Sequence, residues 1–132
     1  MSIDSLIPER YAKIRINGNL DTVFKNVKIF NEYLQKTNKN MSIMVNPMNN
    51  NYEEMVNYLE FTEKLNANLW FNTILYPKHL SIKYESIDNL NRIYKTMKAQ
   101  LSVTRKSYRN YHVFEHLVED QIANWLLDAM EK

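Results

Sequence analysis

The feature that most constrains what this chain can fold into is an alternation of two patterns. Short runs of apolar, β-branched and aromatic residues are followed by longer stretches whose apolar side chains return at helical spacing. The short runs are residues 1–5, 41–46 and 69–76. The last is aromatic and β-branched and stops at Pro77, while 41–46 is compact and reads as a strand buried on both faces. Between and after them, Leu20, Val23, Phe24, Val27, Phe30 and Leu34 predict a helix over 20–37, with Asn19 or Asp21 as its cap. Tyr52, Met55, Val56, Leu59, Thr62 and Leu65 predict a second helix, ended by 66–68. Ser86 caps a third that carries Ile87, Leu90, Ile93, Tyr94, Met97 and Leu101. A basic connector over 102–112 leads to a last amphipathic helix with Val113, Phe114, Leu117, Val118, Ile122, Trp125 and Leu126.

Strand–helix alternation of this kind argues for parallel strands joined by right-handed crossovers. The expected fold is α/β: a small three-stranded parallel sheet with βα repeats, a partial TIM-like barrel fragment, plus a C-terminal helix. Residues 1–101 would form the barrel fragment, and 102–132 would pack on the same domain. Because the first strand starts at Met1, no earlier segment covers its edge. Bare strand edges are a liability that folds normally hide, so the chain reads as a piece of a larger barrel. Its exposed edge is then the route to a homodimer or to the missing barrel half. In such folds the ligand side is the carboxyl end of the strands, which here presents Asp4, Ser5, Asn46, Asn49, Asn51, Asn72, Tyr76 and Lys78.

Composition removes several function classes. The chain has 132 residues, enough for one domain with a real core. Seventeen basic against 15 acidic residues leave a net charge of +2, too balanced to point to nucleic acid or a membrane surface. The absence of cysteine removes disulfides, thiolate nucleophiles and cysteine-held metal or iron–sulfur centres from this chain, and fits a cytoplasmic location. Gly18 is the one glycine, so there is no glycine-rich phosphate loop. It sits in a turn over 15–19, where Asn17-Gly18 favours positive φ. No apolar run approaches the roughly 20 residues that span a bilayer.

The order Ser2-Ile3-Asp4, then Tyr11-x-Lys13-Ile14-Arg15, then the turn at Gly18 and a helix with Val23, Asn26 and Val27 resembles the fourth βα unit of radical S-adenosylmethionine enzymes. Those with a cysteine-rich SPASM extension are the most similar. The stretch from Asn46-Pro47 to Met55 is similar to the fifth strand and its loop, and that from Phe71-Asn72 to Ser81 to the sixth strand and its exit. The resemblance covers about residues 1–85. It implies a partial (β/α) barrel whose members hold a 4Fe-4S cluster and S-adenosylmethionine and make a 5′-deoxyadenosyl radical. It further implies that Ser2 and Arg15 lie where the methionine portion of the cofactor binds, with Arg15 pairing its carboxylate. Asp4, Asn51 and Asn72 would face substrate. The three-cysteine loop, the earlier strands and the cysteine-rich extension are missing. The expectation is therefore a fragment that is catalytically inactive alone, with no cofactor held by this chain.

Other constellations have plainer readings. His112-Val113-Phe114-Glu115-His116 spells H-x-x-E-H. On a helix, His112 and His116 share a face and offer two metal ligands, but a protease site needs a third ligand farther downstream. Arg105, Lys106 and Arg109 with Tyr108 and Tyr111 read as a solvated connector before they read as a track for single-stranded nucleic acid. Asp4 and Arg15 form either a binding pair or a strand-end ion pair. The adjacent Glu53 and Glu54 read as solvated or capping carboxylates. An alternative to the barrel fragment is a stand-alone protein-interaction module that uses the connector and final helix.

Overall fold

The computed structural model describes residues 1–15 and 18–132. The centre of the turn expected at 15–19, Ile16 and Asn17, lies outside the described residues. The fold is mixed α/β and rich in helix. Two short strands, β1 (Ser42–Val45) and β2 (Asn68–Phe71), pair in parallel with Ser42 opposite Asn68 and Val45 opposite Phe71. Helices α1 (Pro8–Ile14) and α2 (Leu20–Lys36) precede the sheet, and α3 (Asn57–Leu65) joins its two strands. α4 (Ile87–Ser102), α5 (Tyr111–His116), a wide π turn (Leu117–Ile122) and α6 (Ala123–Met130) follow it.

The expected third strand is present only as one parallel bridge, Ser2 to Met44. Ile3 N–H donates to the Met44 carbonyl at 3.0 Å and Met44 N–H to the Met1 carbonyl at 2.8 Å. The next rung of a parallel ladder would run from Asn46 N–H to the Ile3 carbonyl. Asn46 N–H instead donates to Asp4 Oδ1 at 3.1 Å, and the Ile3 carbonyl accepts from the Tyr58 hydroxyl at 2.8 Å. Side chains thus replace the rung and end the pairing.

The strand expected over 69–76 is also shorter than its composition suggests. Asn72 N–H still donates to the Val45 carbonyl at 2.9 Å. The following rung would need an N–H from Pro47, which has none. β1 is buried on one face only, with Ile43 and Val45 at 0% exposure and Met44 at 38%. Helices cover one side of the sheet, so burial alternates with the pleat.

Helix ends follow local chemistry. Asn19 Oδ1 accepts from Thr22 N–H at 3.2 Å at the start of α2, and Ser86 Oγ accepts from Asn89 N–H at 3.2 Å at the start of α4. Asn66 closes α3 in the left-handed region, at φ 51°. The second expected helix is split: a 3-10 turn over Tyr52–Glu54 precedes α3. α1 has no strong apolar stripe; Pro8 presets its first turn and Tyr11 is its one buried residue. Gly18 lies against Tyr11: a Cβ there would sit 2.7 Å from the Tyr11 ring and 2.8 Å from the Arg15 carbonyl oxygen.

Among the described residues, one buried cluster joins the strands and the helices on both sides of them in sequence. It joins Ile3, Ile43, Val45 and Leu69 of the parallel segments to Leu59 of α3, Ile93 and Met97 of α4, and Phe114, Leu117, Val118 and Ile122 of the C-terminal helices. Among the described residues no helix is long and apolar enough to cross a membrane.

Candidate functional site at the carboxyl ends of the strands

The carboxyl ends of the parallel segments converge on Asp4. Its Oδ1 accepts from Asn46 N–H at 3.1 Å and from Asn46 Nδ2 at 3.0 Å, and its Oδ2 accepts from Arg15 Nη2 at 3.0 Å. Asn51 lies beneath: Nδ2 donates to the carbonyls of Asp4 (2.8 Å) and Asn46 (3.0 Å), and Oδ1 accepts from Met48 N–H at 2.7 Å. Asn72 Nδ2 reaches Asn46 Oδ1 at 3.2 Å. Three of the expected site residues, Asp4, Arg15 and Asn51, are therefore in one hydrogen-bonded network. Asn72 joins it through Asn46.

Ser2 stands apart from that network. It shares a sheet face with Asp4 by the period-2 pleat but lies one row back, beside Met44 and Trp70, with its Oγ 3.4 Å from the Met44 carbonyl. Asp4 is 3% exposed, whereas the Arg15 side chain is 48% exposed. The carboxylate is thus a fixed buried anion whose oxygens are committed to donors. The outward-facing groups are a guanidinium and two carboxamides, which suit recognition of a polar or anionic ligand better than proton transfer.

A second network braces the first. Glu54, at 2% exposure, accepts from Ser5 Oγ (2.7 Å), Leu6 N–H (2.8 Å) and Arg10 Nη1 (2.9 Å). This corrects the expectation of a solvated or capping Glu54: the carboxylate anchors the loop that leaves the first strand.

Burial first, then the nearby carboxylates of Glu54 and Asp4, raises the Tyr58 pKa far above the ordinary phenol value. A group whose folded pKa is raised contributes stability that is fully present below its unfolded pKa and is lost as pH rises above it. Unfolding free energy is therefore expected to fall above pH about 10, by about 1.4 kcal/mol per pH unit, as the unfolded phenol ionises. Tyr58→Phe removes its share of that slope, read as the difference between variant and wild type in urea titrations at pH 9, 10 and 11.

The histidines are close to each other but not to this network. His112 Nδ1 lies 3.2 Å from Glu115 Oε1, and His116 Nδ1 lies 2.7 Å from Asp120 Oδ2. Among the described residues no group of three or more His, Cys, Asp or Glu side chains converges to hold a metal.

The basic connector is more committed than its composition suggests. Arg109 grips Asn66 Oδ1 at 2.8 Å and Asn68 Oδ1 at 2.9 Å, and Tyr111 is core. Arg105 lies over the Tyr108 ring at 5.0 Å. Asn110 was not legible as a key residue. Its Oδ1 accepts from Leu69 N–H at 3.2 Å, and its Nδ2 donates to Thr62 Oγ1 (2.9 Å) and the Ala67 carbonyl (3.0 Å). One carboxamide thus takes the Leu69 N–H and the Ala67 carbonyl at the start of the outer edge of β2, as a neighbouring strand would.

Comparison of the chain with family models, with characterised proteins and with solved structures finds no match in any of the three.

Proposed function

We propose that this chain is the later part of a radical S-adenosylmethionine-type partial (β/α) barrel, a ligand-holding layer that performs no radical chemistry by itself. The observation that carries the reading is the one-sidedness of the parallel layer. Helices back one face, while Met44 (38%) and Trp70 (55%) stand exposed on the other, with Asp4, Asn46 and Asn72 at the carboxyl end of that bare face. A barrel has this polarity: helices outside, strand side chains inside, ligand groups at the carboxyl ends. The single bridge at Ser2 is the place of the third strand in this reading, and its outer edge is where a missing barrel half or a second copy would add.

The residues present do not fit an iron–sulfur cluster, because the chain has no cysteine to supply thiolates. Toward S-adenosylmethionine, Arg15 has the chemistry to bind the carboxylate of the methionine portion as a two-pronged donor, with Asp4 holding the guanidinium in place. Ser2, one row back, would meet the same ligand only at its far side.

Isothermal titration of the whole chain with S-adenosylmethionine tests this. Saturable binding is expected, weakened about tenfold or more by Arg15→Ala, the worth of one hydrogen-bonded ion pair. No binding at millimolar ligand, or equal binding in the variant, removes the assignment. An interaction module built on the final helix would have to use Leu127 and Met130, which stand outside at 55% and 62%, because Phe114 and Leu117 are buried within the chain.

A further inference from the structure

We propose that His112 and His116 form a two-imidazole chelate for a borderline divalent cation of the Ni2+, Cu2+ or Zn2+ class, at the rim of an aromatic cleft. The two residues are one helical turn apart, so their rings project from the same face. Each ring is oriented by a carboxylate on its own helix, His112 by Glu115 at 3.2 Å and His116 by Asp120 at 2.7 Å, and both contacts are made through Nδ1. A carboxylate only accepts, so the neutral ring carries its proton on Nδ1 and leaves the lone pair on Nε2. Carboxylate–imidazole pairs of this kind fix the tautomer and the orientation of the ring. Two independent pairs in this arrangement, four residues apart, present two prepared Nε2 donors.

The surroundings add a second observation. His112 and His116 line a cleft of about 300 Å³ where the outer edge of β2 meets the C-terminal helices, with Trp70, Phe71, Val113 and Leu117 among its other walls. The helix widens into its π turn directly after His116, a distortion that recurs at functional sites. Two protein ligands leave coordination positions for water or a small ligand that would lie against the aromatic wall. Imidazole donors select the borderline metals over Mg2+ or Ca2+. The two ligands make the site exchangeable, unlike a closed four-ligand structural centre.

The test is calorimetric titration of the untagged whole chain with NiCl2 and ZnCl2. One saturable site is expected, with Ni2+ and Zn2+ bound and Mg2+ not. His112→Ala and His116→Ala each abolish saturation over the same range, and His79→Ala leaves it unchanged. Asp120→Asn, which keeps both ligands and loses the anionic partner of His116, weakens binding about tenfold or more. Both histidines are largely solvent-exposed, with side-chain exposures of 86% and 71%, and circular dichroism of each variant checks that the fold is kept. Failure of the wild-type chain to bind either metal saturably overturns the proposal. So does binding that survives in the His112→Ala, His116→Ala double variant.

Discussion

Replacing Phe114 by alanine is expected to lower the unfolding free energy by about 4 kcal/mol, in the range that buried Phe→Ala changes cost. Phe114 is 0% exposed, and its neighbours on the C-terminal helices, Leu117, Val118 and Ile122, are exposed by 1% or less. They share one cluster with Leu69 of β2 and with Ile93 and Met97 of α4. Removing the ring leaves a void within this closely packed cluster, which can relax only in part. A fall of this size is a large fraction of the total stability of an ordinary domain. Urea unfolding measures it as a lower midpoint at constant slope. Val103→Ala, at 85% exposure, is the matched control and should change stability by less than about 0.5 kcal/mol. Equal midpoints for the two variants would mean that the C-terminal helices are not part of the core, and would return them to a recognition role.

Asn110→Ala is expected to cost about 3 kcal/mol, although it deletes only a carboxamide. The side chain is 5% exposed and serves the Leu69 N–H, the Ala67 carbonyl and Thr62 Oγ1 at once. Truncation leaves a buried backbone donor and a buried backbone acceptor without partners, and each orphaned group costs about 1–3 kcal/mol. Asn110→Asp separates the two halves of the role. Its carboxylate still accepts from Leu69 N–H but faces the Ala67 carbonyl with a second acceptor, so it too should be destabilised. Hydrogen exchange reads the effect locally: the Leu69 amide should lose protection in Asn110→Ala while amides of α2 keep theirs. Unchanged protection at Leu69 would mean that another group closes the β2 edge.

Much of the helical layout was legible because its determinants are local. Asn19 and Ser86 cap the helices they precede, Asn66 ends α3, and the apolar spacing of α4 is read directly as the buried set Leu90, Ile93, Met97 and Leu101. The parallel order of the segments also followed from alternation. What escaped depends on partners distant in sequence. The first strand stops after one bridge because Asp4 and Tyr58 take the groups that the next rung needs, and β2 stops because Pro47 lies opposite. α1 carries too few apolar residues to show a period, and it forms on a proline start with Tyr11 tucked inward.

The site divides along the same line. Asp4 and Asn51 could be gathered from the rule that ligand groups sit at strand carboxyl ends, whereas Arg15 entered only through the family resemblance. Asn46, which links them to Asn72, could be placed at that edge but not at its centre. Glu54 and Asn110 looked like ordinary surface polar residues. Their burial comes from what the first strand and β2 leave unsatisfied, a quantity no window of sequence contains.

Residues 1–3, β1 and β2 lie side by side in parallel, with one helix-backed face and one exposed face. Nuclear Overhauser contacts on a labelled sample test it most directly. Cross-strand contacts are expected from Ser2 to Met44 and from Met44 to Trp70, with the Ile3 and Met44 amides slow to exchange and the Met44 and Trp70 side chains open to a soluble paramagnetic probe. Contacts in the opposite chain direction, or none between residues 1–3 and β1, would contradict it.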